Sequence, residues 1–237
     1  MSQRKQELAD GLAHTRERIA RACEEAGRDP ADVTLIVVTK TYPASDVALL
    51  AELGVTDVGE NRHPEAGRKL DELTTDFAVS PPPRMHFIGG LQTNKAGAVA
   101  RYADVVHSVD RVRLAEGLAR GAVAAGRELG CLIQVDFDTS DPGRAGVVPS
   151  GVEELADVIA SAAGLRLNGV MTVAPLGVDP APVFAELAGI SARLRERFPD
   201  ASMVSAGMSG DLEAAVFSGA THVRVGRSVL GERASTR

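Results

Sequence analysis

Tryptophan is absent from this chain of 237 residues, tyrosine occurs twice and phenylalanine six times. The core must therefore be built from Val, Leu, Ile and Ala, the usual filling of barrel interiors. Cysteine is confined to Cys23 and Cys131, and the five histidines are scattered. Neither a disulfide framework nor a metal cluster fits that spacing, and both thiols are expected to be reduced. A basic surplus is also missing, since the formal charge is -6, which argues against a nucleic-acid surface. No stretch approaches the roughly 20 apolar residues of a membrane span. The N-terminus carries Arg4, Lys5, Glu7 and Asp10 with no apolar segment, so no signal peptide is expected and the expected compartment is the cytoplasm. No shift in composition marks a linker, and 44% hydrophobic content allows one large core. A single domain over 1–237 is the expectation.

What is present is alternation. Leu8, Leu12, Ile19 and Cys23 recur at helical spacing, which predicts an amphipathic helix of about six turns before the first strand. Eight short apolar runs then alternate with helical segments: 35–40, 55–59, 85–88, 105–108, 131–136, 165–172, 202–205 and 221–226. Regular β-α alternation implies a parallel sheet, and eight units in this length fit a single (β/α)8 TIM-type barrel with an extra N-terminal helix. A doubly wound open sheet is the alternative. It ordinarily needs a glycine-rich first turn, and the turn here is Thr39-Lys40-Thr41-Tyr42-Pro43. Ser45 and Asp46 begin a helix that runs on to Gly54, and Asp110 is placed to cap a later Ala-rich one. A helix is predicted over 92–102.

The run Leu35-Ile36-Val37-Val38-Thr39-Lys40 ends abruptly in an amine. At the C-terminal end of a barrel strand such a lysine faces a ligand, and desolvation by apolar walls favours the uncharged, nucleophilic form. It can equally be a solvated lysine where a strand meets water. The strand ends collect further candidates, so the ligand-holding set is Lys40, Asn61, His86, Ser205, Gly207, Ser209, Arg224 and Gly226. His86 and His107 taken singly read as hydrogen-bonded structural histidines. Ser205-Ala206-Gly207-Met208-Ser209-Gly210-Asp211 and Val225-Gly226-Arg227-Ser228 are glycine turns entering helices, after strands seven and eight. Barrels often hold phosphate there, although tight turns with helix caps also explain them. Arg224 could pair with a carboxylate across the barrel. The loop starting at Asp138 lacks the regular acidic spacing of a calcium site, and no metal is expected.

Val37-Val38-Thr39-Lys40-Thr41, Gly59-Glu60-Asn61, His86-Phe87-Ile88-Gly89 with Leu91-Gln92-Thr93-Asn94-Lys95, Ser108-Val109-Asp110, Gly207-Met208-Ser209-Gly210-Asp211 and Val223-Arg224-Val225-Gly226 together resemble the pyridoxal 5′-phosphate homeostasis family. Its members are single-domain barrels similar to the N-terminal domain of alanine racemase. The resemblance implies that Lys40 carries the cofactor as an internal aldimine. It further implies that Ser205, Gly207, Ser209 and the Gly226 turn hold the phosphate, and that Arg224 approaches the pyridine nitrogen. Tyr42, Met85 and Ala206 depart from the family's usual residues. The implied role is a non-catalytic carrier, expected to be a monomer, that buffers pyridoxal phosphate and hands it to apo-enzymes that depend on it. An amino-acid racemase is the alternative, and it needs acid/base groups on both faces of the ring. The stretch after strand eight offers no obvious second one.

Overall fold

The computed structural model describes residues 2–138 and 143–231. Eight parallel strands close into a barrel in the order β1 to β8. They are β1 (Thr34–Val38), β2 (Asp57–Glu60), β3 (Arg84–Phe87), β4 (Val105–Val109), β5 (Leu129–Gln134), β6 (Leu165–Met171), β7 (Met203–Ser205) and β8 (His222–Val225). β1 pairs with β2 on one side and with β8 on the other, which excludes the open doubly wound sheet. Strands buried on both faces lack polar alternation, so their apolar runs located them while their ends shift by at most two residues.

The helices are α1 (Gln3–Glu25), α2 (Ala44–Glu52), α3 (Glu65–Thr75), α4 (Ala96–Val99), α5 (Val112–Ala124), α6 (Val152–Ser161), α7 (Pro180–Arg197), α8 (Leu212–Phe217) and α9 (Arg227–Leu230). α1 is the extra N-terminal helix. Its buried stripe Leu8, Leu12, Thr15, Ile19, Ala22 and Cys23 follows the helical period, and the Ser2 hydroxyl caps it by accepting from Lys5 N–H. Long-range contacts bind it to the barrel, among them Arg4 paired with Asp46 at 2.7 Å and Arg18, which pairs with Glu213 at 2.8 Å and also donates to Ser209 O. Asp46 lies in the first turn of α2, where the helix is expected to begin, and also serves α1. Asp110, expected to cap α5, does not. It pairs with Arg111, and α5 has no side-chain cap. The segment expected as one helix over 92–102 is a 3-10 turn, Thr93–Lys95, followed by the short α4. Gly121 explains how α5 approaches α4, because a Cβ there would lie 2.6 Å from Gly97 Cα.

Two shells result. Phe87, Val106, Leu118, Ile133, Ile159, Val170 and Leu187 belong to one outer cluster between strands and helices, while Leu12, Val37, Val58, Met85, Val223 and Val225 belong to the other. Each fully buried Leu or Phe in them contributes about 1.5–3 kcal/mol. The barrel interior is different. Val105, Leu132 and Met171 form only a small apolar cluster there, and the opposite interior wall is polar, with His86, His107, Ser205 and Arg224 all buried. No helix among the described residues is long and apolar enough to cross a membrane.

Candidate functional site

A cavity of about 840 Å³ opens at the C-terminal ends of the strands. Val38, Lys40, Ile88, Ser209, Arg224 and Gly226 are among the residues that line it. β1 ends at Val38, and Thr39 N–H still donates to Gly59 O across the sheet. Lys40 therefore sits in the turn beyond the strand. Thr41 follows with φ 70°, the left-handed region that a β-branched residue rarely takes. Such a turn persists only where contacts over-determine it. Here Tyr42 N–H donates to Thr39 O, Thr41 N–H to Glu65, and Lys69 Nζ to Thr39 O at 2.9 Å.

Lys69 is itself paired with Glu60 at 2.5 Å, and the Thr39 hydroxyl donates to the same carboxylate oxygen at 2.7 Å. Glu60 is fully buried and its other oxygen has no partner. This triad clamps the turn that carries Lys40. It was not legible as a site, because Glu60 leaves the outer face of β2 while Lys69 reaches in from α3. The glutamate of a Gly-Glu-Asn match was the one available signal.

On the far side of the cavity, Gly207 adopts φ 88° and its carbonyl accepts from Arg224 N–H at 2.9 Å. Asp211 accepts from Met208 N–H and shapes the turn. The N–H groups of Ser209 and Gly210 have no hydrogen-bond partner among the described residues, and open space stands where a Cβ of Gly210 would be. Arg227 and Arg224 line the same cavity as Lys40, against the single carboxylate of Asp211. Three cations against one anion suit a doubly charged phosphate. Arg224 is buried, and burial pulls its guanidinium pKa down to about 10 against the opposing charge of Asp211. Its Nη1 donates to Ser205 Oγ at 2.6 Å and its Nη2 to Thr172 O at 2.8 Å, so it is not spent on a carboxylate across the barrel.

Five of the eight sequence candidates meet at or beneath this mouth: Lys40, Ser209, Arg224 and Gly226 line it, and Gly207 supports it from the turn after β7. Ser205 lies one layer deeper. Its oxygen is taken by Arg224 and its hydroxyl contacts His107 Nδ1 at 2.9 Å, so it does not face an incoming phosphate. His86 points into the barrel from the middle of β3, bonded to Asp57 and His107. Asn61 lies beyond the end of β2, its backbone against Gly89, outside the cavity lining. Of the departures from family pattern, the Tyr42 hydroxyl donates to Gly231 O at 2.8 Å, and Met85 and Ala206 are buried away from the mouth. The acidic loop retains Arg144 paired with Asp136 at 3.0 Å. Residues 139–142 of that loop, and the 232–237 stretch after strand eight, lie outside the described residues. Among the described residues no group of three or more metal-binding side chains occurs.

The family pattern for the alanine racemase N-terminal domain matches residues 11–234. A Corynebacterium glutamicum protein named pyridoxal phosphate homeostasis protein is 44% identical over 223 residues, covering 91% of this chain and 97% of its own. Its namesake in Mycobacterium tuberculosis is 42% identical over 244 residues, covering 97% and 94%. Among solved structures, PipY of Synechococcus elongatus with PLP bound superposes with a TM-score of 0.81 at 32% identity, covering 94% of this chain and all of that one.

Proposed function

We propose, because the chain belongs to the pyridoxal phosphate homeostasis family, that it binds pyridoxal 5′-phosphate at the barrel mouth and serves to hold and release that cofactor. The observation that carries this reading is the convergence of Lys40, two unpartnered N–H groups and a surplus of cationic side chains on one cavity. The donor set fits the group. Pyridoxal phosphate, when bound, supplies an aldehyde that condenses with a primary amine and a ring that can draw electrons from the carbon so attached. Lys40 provides the amine. Ser209, Gly210 and the Gly226 turn provide phosphate donors, and Arg224 provides the donor for the ring nitrogen. A permanently charged donor at that nitrogen opposes its protonation, which weakens the ring's draw on electrons.

The cavity supports a carrier over a racemase. The titratable side chains among its described lining residues are Lys40, Asp211, Arg224 and Arg227. Asp211 is held by Met208 N–H, and neither arginine is a proton acceptor at neutral pH, so these described lining residues supply no second acid/base group for the opposite face of the ring. Apo-enzymes that use pyridoxal phosphate are the recipients such a carrier implies. Purified protein loaded with the cofactor is expected to turn over common amino acids far below ~1 s⁻¹; ordinary enzymatic turnover measured by chiral chromatography would overturn the carrier reading.

A binding titration tests the phosphate site. Pyridoxal without phosphate forfeits at least two charge-assisted hydrogen bonds of roughly 1.5–3 kcal/mol each. Its affinity, read from absorbance, is expected to fall by about 100-fold or more. Equal affinity for the two compounds would place the phosphate site elsewhere.

A further inference from the structure

A row of five polar side chains crosses the barrel interior beneath the mouth. Asp57 opens β2, His86 lies in β3, His107 in β4, Ser205 ends β7 and Arg224 lies in β8. His86 Nε2 is 2.9 Å from Asp57 Oδ1, His86 Nδ1 is 2.8 Å from His107 Nε2, and His107 Nδ1 is 2.9 Å from Ser205 Oγ. Arg224 closes the row on Ser205 Oγ at 2.6 Å. All five are buried. The function proposed above uses only Arg224.

Counting donors orders the row. A guanidinium only donates, so Ser205 Oγ accepts from Arg224. The serine hydrogen then needs an acceptor, and His107 Nδ1 is the contact available to it. His107 therefore carries its proton on Nε2 and donates to His86 Nδ1. His86 carries its proton on Nε2 and donates to the Asp57 carboxylate, which only accepts. The reverse order fails, because it would leave the Ser205 hydroxyl hydrogen without an acceptor and turn the bare Nε2 lone pair of His86 toward the Asp57 carboxylate. Burial holds the His107 pKa well below its ordinary value, and the Arg224 charge adds to it, in keeping with a neutral ring. The far end is pinned as well, since Asp57 also pairs with Arg84 at 2.8 Å and accepts from the Thr56 hydroxyl at 2.7 Å. Burial pushes the Asp57 pKa up, but the hydrogen bonds from His86 and Thr56 and the Arg84 charge outweigh it and leave it lowered.

We infer that Asp57, through His86, His107 and Ser205, is the positioning group for Arg224. The row aims the guanidinium at the cavity floor and extends the negative end of a remote carboxylate toward a buried cation. Hydrogen bonds in series polarise one another in a low-dielectric interior, so the influence reaches across the barrel. The inference rests on reading Arg224 as the donor to the cofactor's ring nitrogen.

The test is nitrogen NMR in two stages. In cofactor-free protein near neutral pH, both His86 and His107 are expected to be neutral and protonated on Nε2. Asp57→Asn is expected to keep those signals, because the amide oxygen still accepts from His86, whereas Asp57→Leu is expected to shift both rings. An imidazolium at His86, or a Nδ1 proton on either ring in the unmodified protein, overturns the row without reference to any variant. In the second stage the protein is loaded with pyridoxal phosphate labelled at the ring nitrogen. The signal is expected to be that of an unprotonated nitrogen in the parent and in Asp57→Asn, and to move toward the protonated position in Ser205→Ala, with retention of the cofactor weakened about tenfold. An intact row in the first stage with an unmoved ring-nitrogen signal in Ser205→Ala overturns the positioning role and leaves the binding site itself standing.

Discussion

Lys40→Ala is expected to abolish borohydride-reducible attachment of pyridoxal phosphate while the protein stays folded. Lys40 lies beyond β1, whose burial is carried by Ile36 and Val37, and the strand's last ladder bond is made by Thr39 N–H. Removing a side chain from that position takes little from the core, so the cost in stability is expected to be about 1 kcal/mol or less. The Ser209 and Gly210 N–H groups, proposed above as phosphate donors, belong to another element and remain. Residual non-covalent binding is therefore expected, with the absorbance of the free aldehyde. Intact-mass measurement after reduction is the decisive readout, and an unchanged yield of adduct in Lys40→Ala would assign the attachment to another amine.

The largest expected loss of stability belongs to Lys69→Met. Glu60 is fully buried and Lys69 nearly so, so the substitution leaves a carboxylate inside the protein with only the Thr39 hydroxyl to answer it. Breaking one side of a buried ion pair costs about 3–5 kcal/mol. That is a large share of the 5–15 kcal/mol typical of a whole domain, and the urea midpoint should fall accordingly. Removing both charges should cost much less, because the desolvation of each ion is then relieved together with their attraction. Lys69→Met with Glu60→Gln is therefore expected to recover most of the stability. Thr39 O loses its Lys69 donor in both variants, which loosens the turn bearing Lys40 and should weaken cofactor retention even where stability is recovered. A single variant within 1 kcal/mol of the parent in chemical denaturation, against the range above, would show that the pair is not buried in solution.

Much of this molecule was readable in the chain. The eight β-α alternations, the N-terminal helix stripe, the lysine that ends an apolar run and the two glycine turns each rest on local signals: period, β-branching, and the backbone freedom of glycine. Those signals depend only on near neighbours in sequence, which is why they placed Lys40, Ser209, Arg224 and Gly226 at strand ends and turns that line one cavity and why element ends were less well placed. Asp110 shows the limit. It has the residue type and position of a helix cap, and it is instead drawn to the adjacent Arg111.

By itself, then, the sequence determined the barrel, and it located the Lys40 turn, the glycine turns at Gly207 and Gly226 and the arginine on β8 that the proposed site draws on. What only tertiary structure decided is which of two buried faces each strand residue occupies. In a closed parallel barrel the inner and outer faces are both dry, so a strand's alternation separates its residues into two sets without saying which set meets the helices and which meets the other strands across the barrel. Glu60 goes outward to Lys69. His86, His107, Ser205 and Arg224 go inward, and residues 98 positions apart, His107 and Ser205, come into hydrogen-bond contact. Ser205 was therefore read as a phosphate donor when its hydroxyl belongs to the interior row. Closure of the barrel brings β2, β3, β4, β7 and β8 around one polar wall, and no local pattern in the chain encodes that meeting.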